Sequence, residues 1–231
     1  MELVEPIKSK KDILRIIKYL REKNILYSTI FQFGIYSGLR VSDILALNLS
    51  DVLNKKYVEI REKKTHKYKK IPINNRLQEV INEYLSYRQE MYCKNRALFV
   101  SKKGCRLGRS QVYRFINEAC KELDIEGDFG THTMRKTFGY HFYQDTKDIV
   151  LLQKIFNHSS PSVTLHYIGI TQEIIDDVYM GLNYERSKNV NLIPHKKKTQ
   201  EKVIEFLQNY ILNGGEKHKE FAQLALAEMA L

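Results

Sequence analysis

The order of apolar and polar positions predicts a mainly helical chain that is interrupted by one short β region. Near the start, Ile13, Ile16, Ile17 and Leu20 recur at the spacing of one helix face, and Ser9 precedes them as an N-cap. Comparable patterns predict helices over residues 26–37, 42–47, 76–92, 110–123, 131–143, 148–157 and 161–168, and a further helix from Thr171. Gly38 is expected to end the helix over residues 26–37, because glycine readily takes the left-handed conformation found at the end of a helix. Ser42, Ser110 and Thr131 are the expected starting residues of three others.

The β region shows a different period. "KKYVEIRE" and "YKKIPIN" carry alternating or β-branched apolar residues, and the polar stretch "KKTHK" joins them, which is typical of a β-hairpin. "ALFV" at residues 97–100 is expected to add a third strand. The predicted fold class is therefore α+β, mainly α-helical with a small three-stranded antiparallel sheet.

Composition narrows the class of protein. Of the 231 residues, 43% are hydrophobic, which is enough for a core, and no apolar run approaches the roughly 18 residues that would span a bilayer. The opening "MELVEPIKSKKD" lacks the apolar stretch of a signal peptide. The three cysteines, Cys93, Cys105 and Cys120, form no C-x-x-C pair, which favours reduced thiols in a cytoplasmic protein.

The charge indicates a polyanionic partner. The formal net charge is +11, and residues 195–231 hold six basic and five acidic residues, so almost all of the excess lies in the first 194 residues. Nucleic acid is the usual partner of such a surface, although a well-solvated basic surface is an equally open explanation of charge alone.

Four stretches carry polar groups suited to chemistry on a phosphodiester. They are "YSGLRVSDI" with Arg40, "REKKTHKYKK" with Lys63 and Lys64, "GTHTMRKTFGYHF" with His132 and Arg135, and "FNHSSPSVTLHYIG" with His158 and Tyr167. Guanidiniums can clamp non-bridging oxygens, imidazoles can move protons, and a lysine can protonate a leaving oxygen. A tyrosine hydroxyl attacks only with help, because its ordinary pKa is about 10. Metal binding by the histidines is a weaker alternative, since no H-E-x-x-H pattern is present.

Together these stretches resemble the catalytic domain of tyrosine recombinases, the phage integrase family, over roughly residues 10–180. The resemblance implies Arg40 and Arg135 as phosphate clamps, Lys64 as general acid, His132 and His158 as supporting histidines, Tyr167 as nucleophile and Asp43 as a supporting acid. Lys63 stays open as an alternative to Lys64. One departure is Asn157, where the family usually has glycine before the histidine.

The resemblance also implies a function, a partner and a domain organisation. It implies a DNA recombinase or integrase of mobile elements that needs neither metal nor ATP, acts on double-stranded DNA at the nucleoid and self-associates on it as a dimer or tetramer. A catalytically silent DNA-binding relative and a type IB topoisomerase are the alternatives. The expected organisation is a catalytic domain over residues 1–186, a linker over 187–199 and a helical extension over 200–231.

Two features of that organisation are left open. With only two short helices before Arg40, there is no room for the family's N-terminal core-binding domain, so the chain is either a minimal enzyme or a catalytic fragment. The apolar stripe of Val203, Ile204, Leu207 and Ile211 suits docking on a neighbouring protomer as well as folding back on its own domain.

Overall fold

The computed structural model describes residues 4–90, 95–101, 103–169 and 179–180. Contacts divide the chain into two units, Met1–Asp176 and Asp177–Leu231, and the elements below all belong to the first. The helix predicted from Thr171, the linker over 187–199 and the helices of 200–231 lie outside the described residues. Within the described ranges, no helix is both long and apolar enough to cross a membrane.

The first unit is mainly helical, as predicted. Its helices are α1 (Lys10–Lys23), α2 (Ile25–Ser37), α3 (Val41–Ile44), α4 (Asn75–Glu90), α5 (Arg109–Glu122), α6 (Thr133–Thr146), α7 (Ile149–Phe156) and α8 (Pro161–Ile168). A 3₁₀ turn at Leu49–Asp51 leads to strands β1 (Tyr57–Arg61) and β2 (Tyr68–Pro72).

Helix α2 lies in the middle of the core and ends where the site begins. Its sequence contains no charged residue, and a helix that is apolar all round is buried by its neighbours, here α1, α4 and α6. The Ser9 hydroxyl caps α1, as predicted, by accepting from the Asp12 amide at 3.1 Å. Gly38 ends α2 at φ 62° and ψ 16°, a conformation that glycine takes without steric cost.

The predicted hairpin is confirmed, but the predicted third strand is wrong. Strands β1 and β2 pair antiparallel, and Val58 lies opposite Ile71 with both side chains buried. In the described part of the chain, residues 97–100 make only isolated bridges, Ala97 with Asn48 and Val100 with Arg106. A short apolar run can fill a core without joining a sheet ladder, and periodicity does not separate the two cases.

The predicted starts of three helices are also wrong. The cap positions of α3, α5 and α6 are occupied by Arg40, Gly108 and His132 instead of Ser42, Ser110 and Thr131. At α6 the Thr133 hydroxyl accepts from the Gly130 amide at 2.9 Å, which closes the turn before the helix, and no side chain caps the helix at His132. The shifts place Arg40 and His132 at the starts of helices.

A small second cluster of apolar side chains positions the last two helices. Leu152, Phe156 and Ile168 are buried together, and Tyr167 packs against them. Helix α6 approaches this cluster closely at Gly139, where an added Cβ would lie 2.7 Å from Ile168 and from Phe156. The glycine therefore permits the close packing that brings α8 and Tyr167 beside the start of α6.

Candidate active site

Arg135 joins three segments of the chain. Its side chain is buried, and its guanidinium donates to the carbonyl oxygens of Gly38 at 2.7 Å and of Phe156 at 2.9 Å. Both carbonyls lie at C-terminal ends of helices, α2 and α7, where the helix dipole favours a cation. Burial lowers the pKa of Arg135 to about 10, so it stays charged at neutral pH.

Arg40 lies directly beyond the turn that Gly38 makes, and two acidic residues accompany it. Its Nη1 is 2.8 Å from the Glu62 carboxylate and 4.0 Å from that of Asp43. Both carboxylates are almost completely buried, whereas 14% of the Arg40 side chain is exposed. A guanidinium held by carboxylates on one side keeps the rest of its fork for a further anion.

Glu62 is a site residue that the motifs did not indicate. Burial would raise the pKa of its carboxyl, but the hydrogen bond from Thr65 at 2.6 Å and the Arg40 guanidinium hold that pKa below its ordinary value. A sequence signal was present, because successive even positions of a strand share one face, and Val58 and Ile60 already point inward. A charged residue next on that face indicates a buried ion pair.

Lys69 is a second residue that was missed, and it faces the same Glu62 carboxylate oxygen as Arg40. Its Nζ is 4.0 Å from the Glu62 carboxylate, and only 15% of its side chain is exposed. Burial, together with repulsion from Arg135, lowers the pKa of Lys69 to about 8. The same sequence signal was present for Lys69, because it shares one face of β2 with the buried Ile71.

The hairpin turn that contains Lys64 is tied to this cluster. Asp43 accepts from the Lys63 amide at 3.0 Å, and its supporting role in the reaction stays a prediction. Lys63 and Lys64 both line a cleft of about 560 Å³ together with Arg40 and His132. The cleft does not separate the two lysines, and Lys64 stays the predicted general acid.

Tyr167 and the two histidines meet at the end of α8. The Tyr167 hydroxyl is 3.2 Å from Nδ1 of His132, and the Tyr167 ring lies edge-on to His158 with 5.1 Å between ring centroids. Nδ1 of His158 is 3.1 Å from the Thr164 hydroxyl, which fixes the imidazole from the first turn of α8. The predicted nucleophile and both predicted histidines are therefore neighbours.

Protonation states follow from this packing. Burial raises the pKa of the Tyr167 phenol, although Arg135 and Arg40 oppose that rise, so the phenol is neutral at neutral pH. Burial and the nearby Arg135 lower the pKa of His158 to about 4 and hold the pKa of His132 below its ordinary 6.5. Both imidazoles are neutral at pH 7 and can accept or share a proton.

The structure brings all seven predicted residues into one region, whereas two further histidines, His141 and His166, have other surroundings. His141 contacts the Ile7 carbonyl oxygen at 3.0 Å, and His166 is exposed. In the described residues, no three His, Cys, Asp or Glu side chains are grouped as metal ligands would be. Cys120 is buried, and burial raises the pKa of its thiol to about 12.

Comparison with known proteins identifies the family. The model of the phage integrase family matches residues 8–173. The chain is 46% identical over 180 residues to the probable integrase/recombinase YoeC of Bacillus subtilis (strain 168), an alignment that covers 78% of this chain and 97% of that protein. It is 29% identical over 150 residues to the tyrosine recombinase XerC of Thermodesulfovibrio yellowstonii, covering 62% of this chain and 50% of the relative.

Solved structures give the same fold. The XerA recombinase superposes with a TM-score of 0.65 at 25% identity, covering 76% of this chain and 65% of that one. The XerH recombinase bound to its palindromic difH substrate superposes with a TM-score of 0.62 at 18% identity, covering 77% and 53%. The fold and the site define the catalytic domain of a tyrosine recombinase, and the chain belongs to the phage integrase family. It spans nearly all of YoeC but about half the length of XerC.

Proposed function

We propose that the protein is a site-specific DNA recombinase or integrase that cuts and rejoins DNA strands through a 3′-phosphotyrosine intermediate. The observation that carries the proposal is the contact of 3.2 Å between the Tyr167 hydroxyl and His132, beside two arginines with buried carboxylate or carbonyl partners. A lone tyrosine–histidine contact is common, but one next to two guanidiniums and a lysine-bearing turn suits attack on a phosphodiester.

The first step forms one phosphoester bond and breaks another. The Tyr167 oxygen attacks the scissile phosphorus, and its proton passes to the neutral imidazole of His132. The bond from phosphorus to the 5′ oxygen breaks, and Lys64 supplies the proton that this oxygen needs. The products are a 3′-phosphotyrosine and a free 5′ hydroxyl. The 5′ hydroxyl of a second strand reverses the step, so the exchange consumes no ATP.

The arginines stabilise the charge that builds up during this step. Arg40 and Arg135 bind the non-bridging oxygens, and His158 adds a hydrogen bond. Burial strengthens these interactions because water does not screen them. Fixed cations of this kind supply the electrostatic stabilisation, and the proposed reaction therefore needs no metal or cofactor.

Double-stranded DNA is the proposed partner, and the proposed working form is a dimer or tetramer assembled on it. The net charge of +11 supports attraction to DNA. Among the structural relatives, λ integrase has been solved as a dimer bound to a core site and as a tetramer bound to a Holliday junction. The extension over residues 200–231 is the proposed element for contact between protomers.

The proposal is tested by trapping the covalent intermediate. A pool of nicked duplexes with a randomised segment lets the short fragment diffuse away after cleavage, which leaves DNA attached to the protein. Adducts separated in SDS gels should form with the natural protein and be absent for Tyr167→Phe. Tyr57→Phe removes a phenol from an exposed position on β1 and should leave adduct formation unchanged.

Three other outcomes contradict the proposal. An adduct that survives Tyr167→Phe places the nucleophile elsewhere. DNA binding without any adduct indicates a silent relative. An adduct together with relaxation of a supercoiled plasmid, but without strand exchange between two sites recovered from the pool, indicates topoisomerase activity.

A further inference from the structure

Asn157 caps the C-terminal end of helix α7, and its side chain contacts Lys67, which lies 90 residues earlier in the chain. Its backbone is left-handed, with φ 57° and ψ 43°, and its Oδ1 accepts a hydrogen bond from Lys67 Nζ at 2.8 Å. Glycine would suit this backbone at least as well, but it has no side chain. The asparagine therefore supplies a link between α7 and the hairpin that the backbone conformation alone does not require.

The turn around Asn157 is fixed to the nucleophile. The residue before it, Phe156, gives its carbonyl oxygen to Arg135, and the residue after it, His158, packs edge-on against Tyr167. The Asn157 amide donates to the Lys154 carbonyl oxygen, which holds the turn itself. A group bound to the Asn157 side chain is therefore held at a fixed position relative to Arg135 and Tyr167.

Lys67, the other partner, closes the turn that carries the predicted general acid. The Glu62 amide donates to the Lys67 carbonyl oxygen at 3.0 Å, and the His66 amide donates to that of Glu62 at 2.8 Å, so residues 62–67 form one closed turn. Asp43 ties the near side of this turn through the Lys63 amide. The hydrogen bond from Lys67 to Asn157 holds the other end of the turn. Lys64 lies between these two hydrogen bonds, which we call the two ties of the turn.

We propose that Asn157 is a positioning residue for Lys64, which it acts on by anchoring the Lys67 side of the hairpin turn to the α7–α8 turn. The proposal rests on the proposed function, because it assigns Lys64 to the leaving 5′ oxygen. A flexible lysine protonates that oxygen efficiently only when the turn holds its backbone within reach. Losing one of the two ties widens the range of positions that the amine samples.

Asn157→Gly removes the side chain and keeps the left-handed turn, so it isolates the tie. Cleavage is measured in single turnovers on a duplex recovered from the randomised pool, made once with the natural phosphodiester and once with sulfur in place of the bridging 5′ oxygen. A thiolate leaves without a proton, and the sulfur substrate therefore does not depend on the general acid. We expect cleavage of the natural substrate to fall about fivefold and cleavage of the sulfur substrate to change less than about twofold.

Lys67→Met removes the other half of the contact and should reproduce this pattern, and the double variant should be no slower than either single variant. Lys70→Met is the matched control, because Lys70 lies on the same hairpin but pairs with Glu59 on its exposed side. It should leave the ratio of the two cleavage rates unchanged, which separates the tie from the loss of one positive charge.

The outcomes separate failure of this proposal from failure of the proposed function. If Asn157→Gly slows both substrates equally, Asn157 supports the His158 turn in general, and the positioning role is wrong. If it slows neither substrate, the tie has no effect on the reaction. If the natural protein cleaves neither substrate through Tyr167, the proposed function itself fails.

Discussion

At the scale of single residues, the protonation states of Tyr167 and His132 determine how the attack on DNA can begin. Burial raises the pKa of the phenol, so little tyrosinate exists at neutral pH, and attack needs a group that takes its proton. The imidazole 3.2 Å away has a pKa below 6.5 and is neutral under the same conditions. A neutral acid beside a neutral base is suited to proton transfer during the attack itself.

This pairing predicts the pH dependence of cleavage. Below its pKa, His132 is an imidazolium and cannot accept the phenol proton, so the single-turnover rate should rise with pH and level off below pH 6.5. His132→Gln should lower the plateau rate by about a hundredfold and abolish this rise, because glutamine does not titrate. An unchanged acidic limb in the variant would assign the titration to another group. His166→Gln, at an exposed position, is the control.

The residue scale also shows the limit of the motifs. Arg40, Arg135, His158 and Tyr167 were predicted because several short stretches, taken together and in order, resemble the family, whereas no single stretch is decisive. Glu62 and Lys69 were not predicted, since their importance comes from burial beside Arg40, and burial is a property of the folded chain. The local signal for both residues is the alternation of the strands, because Glu62 continues the inward face of β1 and Lys69 lies on the inward face of β2.

At the scale of elements, the hairpin and the cap of α1 were predictable, whereas the starts of α3, α5 and α6 were not. Buried and exposed residues alternate along β1 and β2, because one face of the hairpin packs on the core. Residues 97–100 instead form a short apolar run, which fits a strand and a buried loop equally well. The starts of α3 and α6 depend on which groups accept hydrogen bonds from the backbone amides of the preceding turns. At α6, for example, the Thr133 hydroxyl accepts from the Gly130 amide. Nearby polar side chains compete for the same backbone amides, and the backbone geometry that decides between them cannot be read from a sequence pattern.

The hairpin gives a prediction about stability. Glu62→Gln keeps the size of the side chain but leaves Arg40 and Lys69 with less compensating charge, so the free energy of unfolding should fall by about 2 kcal/mol at pH 7. The pKa of Glu62 lies below 4.5, so this difference should be lost as the pH falls through that lowered pKa. Urea unfolding at several pH values measures both effects.

Glu59→Gln is the control for that prediction. Glu59 lies on β1 as well, but its partner Lys70 is half-exposed, and exposed ion pairs contribute little. Its unfolding curve should match that of the natural protein. Equal losses in both variants would mean that the charge of the hairpin matters and that burial of Glu62 does not.

At the scale of the whole molecule, the described residues of one chain bring together all seven predicted site residues. Tyr167 is in contact with His132 and His158 of its own chain, and the Arg135 guanidinium reaches carbonyls of two helices in the same unit. Nothing in this arrangement needs a side chain from a second protomer. In an assembly on DNA, each protomer would therefore cut the strand that its own arginines hold.

Mixing two inactive variants tests this expectation. Tyr167→Phe and Arg40→Gln are each expected to form no adduct, and a mixture should form none either, because no protomer in it carries a complete site. Adducts in the mixture would show that the tyrosine of one protomer attacks a phosphate held by another. Adduct formation in SDS gels, with the total protein concentration held constant, measures the outcome.

The bonds of Arg135 to the carbonyls of Gly38 and Phe156 have a consequence for how relatives of this protein should be judged. A side chain that fastens two helix ends is retained for as long as the domain folds, whether or not it still meets DNA. Its presence in a descendant therefore says little about catalysis. Tyr167 and Lys64 are more informative, because a change to phenylalanine or methionine there removes a reactive atom while leaving the architecture intact. Loss of activity during evolution should be sought first at these two positions.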